Sequence, residues 1–379
     1  MKAKGLVLAM ILLLMAGCGG NRQSTDEIIV VDVTKSYPKK ELILQDFMDV
    51  EYIVLETSDE FLTQGVVKAV GKDIILVANQ IYDGDIFVFD RTGKGIRKIN
   101  RKGQGPEEYT NFNDIIIDEN NNEFFVVAFS DRKILVYDFY GNFKRSFKNA
   151  DDRIYSNVMN YDRDNLIGYK LTIENKPPSH VIISKLDGST TREIHVPYKE
   201  IKSSFVTGEN GAARFTYHQT IPYHRSFVLV EISSDTVYNY LPDNNQMNPF
   251  IVRTPSIHSM DPEVFLLPCV FTDHYYFMQT ITKKYDFETW RGFPYNVLVY
   301  DKQENAVFEY TMYNDDFTNR RHVFISPPVN HEIVACQILQ SYQLVEAYEK
   351  GQLKGRLKEI AAGLDVEDNP VIMLVKHKR

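Results

Sequence analysis

Short apolar runs separated by polar turns repeat along most of the chain, and this pattern predicts β-strands. The apolar residues at 86–89 lead into Asp90, and similar runs lead into Asp138, Asp187 and Asp301. The first three of these aspartates lie about 48 or 49 positions apart, a spacing close to that of propeller repeats. Further apolar runs at 74–77 and 124–127 add a second strand to the first units. From residue 18 onwards the chain has 362 residues, or roughly 60 for each of six units, which exceeds the usual 40–50 and leaves room for insertions. We therefore expect an all-β fold, a six-bladed β-propeller over residues 28–379.

Two regions near the ends of this fold carry other signals. Between residues 341 and 364 the apolar residues recur at helical spacing, which predicts a small helical insertion broken near Gly351. Strand-like runs at 28–33 and 371–375 lie at opposite ends of the predicted propeller. Because an unpaired sheet edge is a liability, we expect these two terminal strands to pair in one blade and close the ring.

The N-terminus has the layout of a secretory signal. Lys2 and Lys4 precede an apolar run at 6–15, and Ala16, Gly17 and Cys18 follow it. The end of this segment resembles the lipobox of bacterial lipoproteins, in which the cysteine receives a lipid. We therefore predict a signal peptide at 1–17, lipidation at Cys18 and a polar tether at 18–27. The alternative is an ordinary signal peptide in which Cys18 is a bystander.

Charge and cysteine content narrow the possible partners and compartments. Acidic residues outnumber basic ones by 51 to 43, giving a net charge of −8, which argues against a nucleic-acid binder. With Cys18 assigned to the lipid, only Cys269 and Cys336 remain, both in apolar strand-like runs. We expect free buried thiols, with a disulfide between them as the alternative.

Three short segments carry a resemblance to a known family. They are residues 103–109 (GQGPEEY), 234–238 (SDTVY) and 368–372 (DNPVI). In this order, and together with the lipobox, they resemble the six-bladed β-propeller lipoproteins of Gram-negative gut anaerobes, which are related to NHL-repeat propellers. The resemblance implies a closed propeller on a lipid tether. It implies no particular activity.

Several possible catalytic or metal motifs fail on inspection. The glycine-rich segment at 103–106 lacks the ending of a phosphate-binding loop, and we interpret it as a tight turn between blades. The segment at 118–123 begins like a calcium loop but has Glu123 where glycine is needed, and we interpret it as a solvated hairpin turn. We identify no catalytic residues, metal ligands or cofactor. A metal-dependent hydrolase or lyase, with ligands gathered from several blades on the axis, stays open as the alternative.

Two clusters are candidates for ligand binding. The first combines flat rings, hydrogen-bonding groups and positive charge suited to a small anion or a glycan, in Arg214, Tyr217, His218, Tyr223 and His224. Its residues could instead pack between blades. The second is an aromatic loop that contains the only tryptophan, Trp290, followed by Arg291, and suits contacts with a protein or a sugar. It could instead fold onto its own blade.

The combined expectation is an extracytoplasmic binding or scaffold protein. We expect it in the cell envelope, held at the outer membrane by the lipid on Cys18 and facing the periplasm or the cell surface. Its partner would be an envelope protein or a small anionic or glycan ligand, bound at the axial face of the propeller or at a protruding loop.

Overall fold

The structure is a computed structural model that describes residues 28–79, 83–171, 176–209, 211–325 and 328–378. The predicted signal peptide, Cys18 and the tether lie outside these residues. The described chain begins with β1 (Ile29–Asp32), β2 (Lys39–Ile43), the one-turn helix α1 (Leu44–Phe47) and β3 (Met48–Val54). Successive antiparallel sheets then follow, each forming one blade.

Blades 1 to 3 each contain four strands in chain order. Blade 1 consists of β4 (Val66–Val70), β5 (Ile74–Ala78), β6 (Asp85–Asp90) and β7 (Gly95–Asn100). Blade 2 consists of β8 (Asp114–Asp118), β9 (Glu123–Ala128), β10 (Lys133–Asp138) and β11 (Phe143–Lys148). Blade 3 consists of β12 (Tyr155–Asn160), β13 (Asn165–Lys170), β14 (Ser179–Ser184) and β15 (Thr190–Ile194).

The remaining blades are irregular, because they contain insertions and N-terminal strands. A hairpin of β16 (Phe205–Gly208) and β17 (Gly211–Arg214) precedes blade 4, which consists of β18 (Thr220–Tyr223), β19 (Ser226–Leu229), β20 (Thr236–Leu241) and β21 (Gln246–Thr254). Blade 5 contains β22 (Val264–Phe271), β23 (Tyr275–Thr282), a small hairpin of β24 (Tyr285–Asp286) and β25 (Arg291–Gly292), then β26 (Tyr295–Asp301) and β27 (Ala306–Tyr313). Blade 6 contains β28 (Ile333–Leu339), helices α2 (Ser341–Glu349) and α3 (Gly355–Ala361), and β29 (Val371–His377).

These blades form a closed ring. The strand β4 contacts β8, and β8 contacts β12, while β28 contacts both β22 of blade 5 and β4 of blade 1. The six-bladed β-propeller and the helical insertion near the C-terminus are therefore confirmed. Gly351, at φ +64°, lies between the two helices where the break was predicted. No helix in the described residues is long and apolar enough to cross a membrane.

Apolar side chains fill the interfaces between neighbouring blades. For example, Leu76 and Ile86 of blade 1 belong to the same buried cluster as Phe124 and Val126 of blade 2. Both faces of each sheet are covered in this way, so every residue of β5 and of β9 is buried. This explains why the inner strands are continuous apolar runs rather than alternating ones.

The repeated aspartates lie at the turns between the third and fourth strands of their blades. Asp90 and Asp138 each accept hydrogen bonds from backbone N–H groups of their own turn. Gly188, in the turn that contains Asp187, has φ +73°, and a Cβ there would lie 2.1 Å from the ring of Phe147 in the preceding blade. The turn therefore requires glycine both for its backbone conformation and for the close approach of two blades.

The two polar loops considered above are structural. The 103–109 segment is a turn between blades 1 and 2, as predicted, and its Tyr109 is fully buried and donates a hydrogen bond to the Gly84 carbonyl at 2.8 Å. The 118–123 segment is a hairpin turn, but its description as solvated is wrong at both ends. Asp118 and Glu123 are buried, and an ion pair with a basic side chain compensates each carboxylate for its loss of water.

The predicted pairing of the terminal strands is wrong. The last strand, β29, pairs with β3 rather than with β1, in the order β28–β29–β3. The first strand, β1, pairs in parallel with β21 at the outer edge of blade 4, and β2 pairs in parallel with β27 of blade 5. The N-terminal segment thus lines the outer edges of three blades before it completes the ring.

Cys269 and Cys336 are not joined by a disulfide, so this alternative is wrong. Cys269 and Cys336 lie in β22 of blade 5 and β28 of blade 6 and are half-buried rather than fully buried. Burial raises the pKa of each thiol to about 12, so both are protonated at neutral pH.

Strand direction defines two faces of the propeller. We call the face at which β4, β8 and β12 begin the connection face, because the connections between blades arrive there. Since neighbouring strands of a blade are antiparallel, the loops between second and third strands also open on this face. The helical insertion lies there too, because Asn369, just after it, bonds to Thr63 just before β4. The opposite face, with the turns at 224–225 and 272–274, is called the turn face.

Candidate functional site

The main candidate site is a pocket on the connection face. It has a volume of about 540 Å³ and lies where blades 2, 3 and 4 meet. The starts of β8 and β12, the end of β13 and the β16–β17 hairpin line it, together with residues 214–219 and 231–232. Its walls include several apolar side chains, namely Phe129, Ile154, Leu171, Phe205 and Phe215.

One side of the pocket holds two tyrosines and a buried carboxylate. Glu231 is 5% exposed; it accepts hydrogen bonds from the Tyr169 hydroxyl and, at 3.0 Å, from the Ser233 backbone N–H. Tyr217 lines the same pocket and is half-buried. Burial, reinforced by the charge of Glu231, raises the pKa of Tyr217, so this hydroxyl keeps its proton.

His218 lies in the same pocket and is held by Asn157. The Asn157 side-chain oxygen accepts from the Thr220 N–H at 2.7 Å, so its amide nitrogen faces His218 Nδ1, at 3.4 Å. An amide N–H can only donate, so Nδ1 accepts and Nε2 carries the ring proton. Burial lowers the pKa of His218 to about 4, which leaves the ring neutral at neutral pH.

A second histidine, His180, lies beneath the pocket and bonds to the backbone beside His218. His180 is fully buried, and its Nε2 lies 2.9 Å from the backbone carbonyl of Gln219, next to His218 in the chain. Burial lowers the pKa of His180 to about 4 as well. The imidazole is therefore neutral and donates to that carbonyl, which fixes the backbone that carries His218.

Positive charge lies at the edge of the pocket rather than inside it. Arg214 is exposed, and its guanidinium lies 5.7 Å from the ring centre of Phe205. Lys202 is paired with Glu263 at 2.8 Å. Inside the pocket, burial raises the pKa of Asp114 at the start of β8. The pocket therefore combines basic residues at its edge with neutral or acidic polar groups within.

The other two residues of the first cluster lie elsewhere. Tyr223 packs between blades 4 and 5, where its hydroxyl lies 2.9 Å from that of Tyr276. His224 lies on the turn face, 3.2 Å from Asp273 and stacked with His377. The physical reason is that β18 runs from the connection face to the turn face, so four residues of extended chain separate the two groups.

The second cluster forms the β24–β25 hairpin, also on the connection face. Trp290 is 64% exposed at the end of this hairpin, and Arg291 beside it is exposed. One side of the hairpin turn is packed, because a side chain at Gly208 would overlap the ring of Phe287. The hairpin therefore rests on its neighbour through Phe287, while Trp290 stays in solvent.

The two clusters meet in the structure, although their sequence positions give no sign of it. Phe293, just after β25, contacts Phe215 edge-on with ring centres 5.5 Å apart. Since Phe215 lines the pocket, the aromatic hairpin supports one pocket wall. Trp290 and Arg291 extend beyond this contact.

Sequence reasoning missed several residues of the pocket. Tyr169, Glu231, Asn157 and Asp114 line it, yet none lies in either predicted cluster. One signal was available for Glu231: it directly follows the apolar run at 227–230, at the end of a buried strand. An acidic residue in that position is seldom buried without a specific partner.

No metal centre is found among the residues that the structure describes. Within them, no group of three or more His, Cys, Asp or Glu side chains is arranged to hold an ion.

Comparison with known proteins identifies the family. The model of a family described as a six-bladed β-propeller, DUF5128, matches residues 19–330. The chain belongs to this family. No curated protein sequence matches it.

Two solved structures are similar in fold. One is a predicted exported protein from Bacteroides fragilis, with 16% identity and a TM-score of 0.59, covering 90% of this chain and 100% of that one. Another is a DUF4221 family member from Bacteroides vulgatus, with 10% identity and a TM-score of 0.49, covering 87% and 97% of the two chains. The first of these likenesses supports the propeller fold and nothing finer, because its identity is low.

Proposed function

We propose that the protein is a binding protein of the cell envelope, held at the outer membrane by a lipid on Cys18 and facing the periplasm or the cell surface. The basic, apolar and small residues at 2–18 support the anchor. The likeness to a predicted exported protein agrees with a site outside the cytoplasm.

The observation that carries the binding role is the pocket on the connection face. Its volume of about 540 Å³ falls within the range of small-ligand sites. It combines apolar walls with a few fixed polar groups, among them Tyr217 and His218. This composition is typical of small-molecule sites and suits a glycan or a small anion, the two ligand classes expected from the sequence.

The test uses full-length protein in detergent micelles and two sets of probes, small saccharides and small organic anions. We expect at least one probe to bind and to lose affinity in the Tyr217→Ala/His218→Ala double variant. Each substitution should cost about 1–3 kcal/mol if it leaves a hydrogen bond unmade. Trp290→Ala is the control, because Trp290 lies outside the pocket lining. Intact probe binding in a well-folded double variant would refute the proposed site.

A specific observation favours a second role, as a scaffold that binds another envelope protein. Trp290 is exposed at the tip of a packed hairpin, and tryptophan is common among residues that dominate protein interfaces. Crosslinking in intact cells would then recover an envelope protein. Trp290→Ala should weaken its binding by about 2 kcal/mol or more, and unchanged capture by that variant would contradict this role.

A further inference from the structure

Building on the proposed lipid anchor at Cys18, we infer that the outer rim of blades 4 and 5 is the surface that rests on the membrane. We call this surface the rim patch, and it consists of Ile28, Val30, Pro38, Val307 and Phe308. Its partner is the lipid surface itself, so the propeller stands on its rim rather than on either face.

The strand β1 has exposed apolar side chains at the outer edge of blade 4. Ile29 and Val31 are buried in the core, whereas Ile28, just before the strand, is 47% exposed and Val30 is 60% exposed. An exposed apolar edge strand is a liability in water, because it can pair with another chain. We therefore expect a surface other than water to cover β1.

The other outer strands of the propeller have charged residues at exposed positions. Examples are Lys98 in β7, Lys144 in β11, Arg192 in β15, Lys39 in β2 and Asp49 in β3. Charged residues on an edge strand prevent edge-to-edge association. In β1 the exposed position is taken by Val30 instead, so this part of the rim differs from the rest in the side chain that it presents.

A groove of about 590 Å³ adjoins β1, between it and the outer strands of blade 5. The start of β27 lines it with Val307 and Phe308, which are half-buried, and Pro38 beside them is exposed. Asp32 and Lys35 line it too and have opposite charges. The groove therefore extends the apolar surface of β1 and places polar residues next to it, as expected of a surface at the boundary between lipid headgroups and acyl chains.

The position of β1 also limits which parts of the propeller can reach the bilayer. Cys18 and Ile28 are ten positions apart, so even a fully extended chain spans at most about 35 Å between them. A domain of this size has a radius of gyration of about 20 Å and is therefore about 50 Å across. The propeller cannot stand on the rim of blade 1, which lies opposite blade 4 in a ring of six, whereas the rim patch adjoins the anchored end of the chain.

This placement keeps both faces of the propeller accessible. The pocket lies on the connection face where blades 2, 3 and 4 meet, and the β24–β25 hairpin with Trp290 is on the same face. A small ligand or a partner protein can therefore reach the connection face from the side while the rim rests on lipid.

The experiment measures which surface of the full-length, lipidated protein lies near lipid. The protein is placed in vesicles of phosphatidylethanolamine and phosphatidylglycerol that contain a lipid with a quenching headgroup, and a fluorescent label is attached to an introduced cysteine. Three exposed positions are compared in separate proteins, Lys35→Cys beside the groove, Lys94→Cys on blade 1 and Glu288→Cys in the β24–β25 hairpin. Because opposite rims are about 50 Å apart, we expect the label at position 35 to be quenched roughly threefold or more above the other two.

Labelling at neutral pH favours the introduced cysteine. Burial raises the pKa of Cys269 and of Cys336 to about 12, so both native thiols are protonated and react slowly. The parent protein, treated in the same way, gives the background signal.

A double variant tests the role of the apolar side chains. Ile28→Ser/Val30→Ser removes the exposed apolar groups at β1 and should reduce quenching at position 35 by about half or more. Ile96→Ser is the matched control, because Ile96 is also apolar and 43% exposed, and it lies in the outer strand β7 of blade 1. It should leave quenching unchanged, and both variants should melt like the parent because the replaced side chains are exposed.

The outcomes separate the rim patch from the anchor. Quenching at position 94 or 288 that equals or exceeds that at position 35, or unchanged quenching in the Ile28→Ser/Val30→Ser variant, would overturn the inference and leave the anchor intact. A protein that does not float with the vesicles would refute the lipid anchor at Cys18 and the inference with it.

Discussion

Ring closure depends on one buried side chain whose removal should be costly. Asn369 lies just before β29 and is 1% exposed. Its side-chain oxygen accepts from the Thr63 N–H at 2.8 Å, and its amide nitrogen donates to the carbonyls of Glu56 and Phe61. The residue thus joins the end of the chain to the segment between β3 and β4, where the ring closes.

The expected loss of stability follows from the backbone groups that lose their hydrogen bond to Asn369. Asn369→Ala leaves one N–H and two carbonyl groups unmatched, and a buried group in this state costs about 1–3 kcal/mol. Carbonyls tolerate the loss better than N–H groups, so the total should be about 3–6 kcal/mol. For a propeller of this size that corresponds to a fall in melting temperature of roughly 4–8 °C.

Asn369→Asp is the sharper variant. It is nearly the same shape and keeps the acceptor for Thr63, but it places a carboxylate oxygen against two carbonyl oxygens. We therefore expect it to destabilise the protein at least as much as alanine does. Thermal unfolding at neutral pH measures both variants.

The control is Asn319→Ala, because Asn319 is exposed and makes one long hydrogen bond of 3.4 Å. It should melt like the parent. If Asn369→Ala and Asn369→Asp also melt within a degree or so of the parent, the hydrogen bonds of Asn369 do not hold the ring closed and the reasoning is refuted.

Three further predictions concern the anchor, a turn and acid stability. Cys18→Ala should move the protein from the membrane fraction to the soluble fraction, and unchanged detergent-dependent solubility would contradict the lipid anchor. Gly188→Ala should lower the melting temperature more than Gly351→Ala, since both have positive φ but only Gly188 would clash with Phe147; equal effects would count against the clash. Burial alone would raise the pKa of Glu123, but hydrogen bonds from two basic side chains outweigh it and lower the pKa below 4.5. This carboxylate therefore stabilises the fold above pH 4.5 and loses its contribution as the pH falls through its folded pKa, so Glu123→Gln should flatten the acid side of a melting-temperature profile.

The repeat could be predicted from the sequence because the strands and turns of a blade depend on residues that are close together in the chain. Each blade buries both faces of its inner strands, so the strands are continuous apolar runs. The turns after the third strands of blades 1 to 3 each combine an aspartate with a glycine at positive φ. The Asp138 turn and the helical spacing at 341–364 follow from neighbours in the chain, and for this reason both could be predicted.

Part of the candidate site was also predictable. Arg214, Tyr217 and His218 are close in sequence and precede a strand, so they remain together in the pocket. Tyr223 and His224 are almost as close in sequence, yet a four-residue strand carries them to the other face. The composition of the cluster was visible in the sequence, whereas the direction of β18 was not.

The remaining features depend on contacts between distant segments. The sequence gives little indication that β29 pairs with β3, because β3 carries Asp49 and Glu51 and does not have the pattern of a buried strand. Glu231 and Tyr169 come from different blades, and only the packing of blade 4 against blade 3 brings the carboxylate to the hydroxyl. Local patterns determine strands and turns because those depend on neighbouring residues, whereas the pocket, its charge and its hydrogen-bond directions depend on which blades become adjacent. Only the tertiary structure decides that.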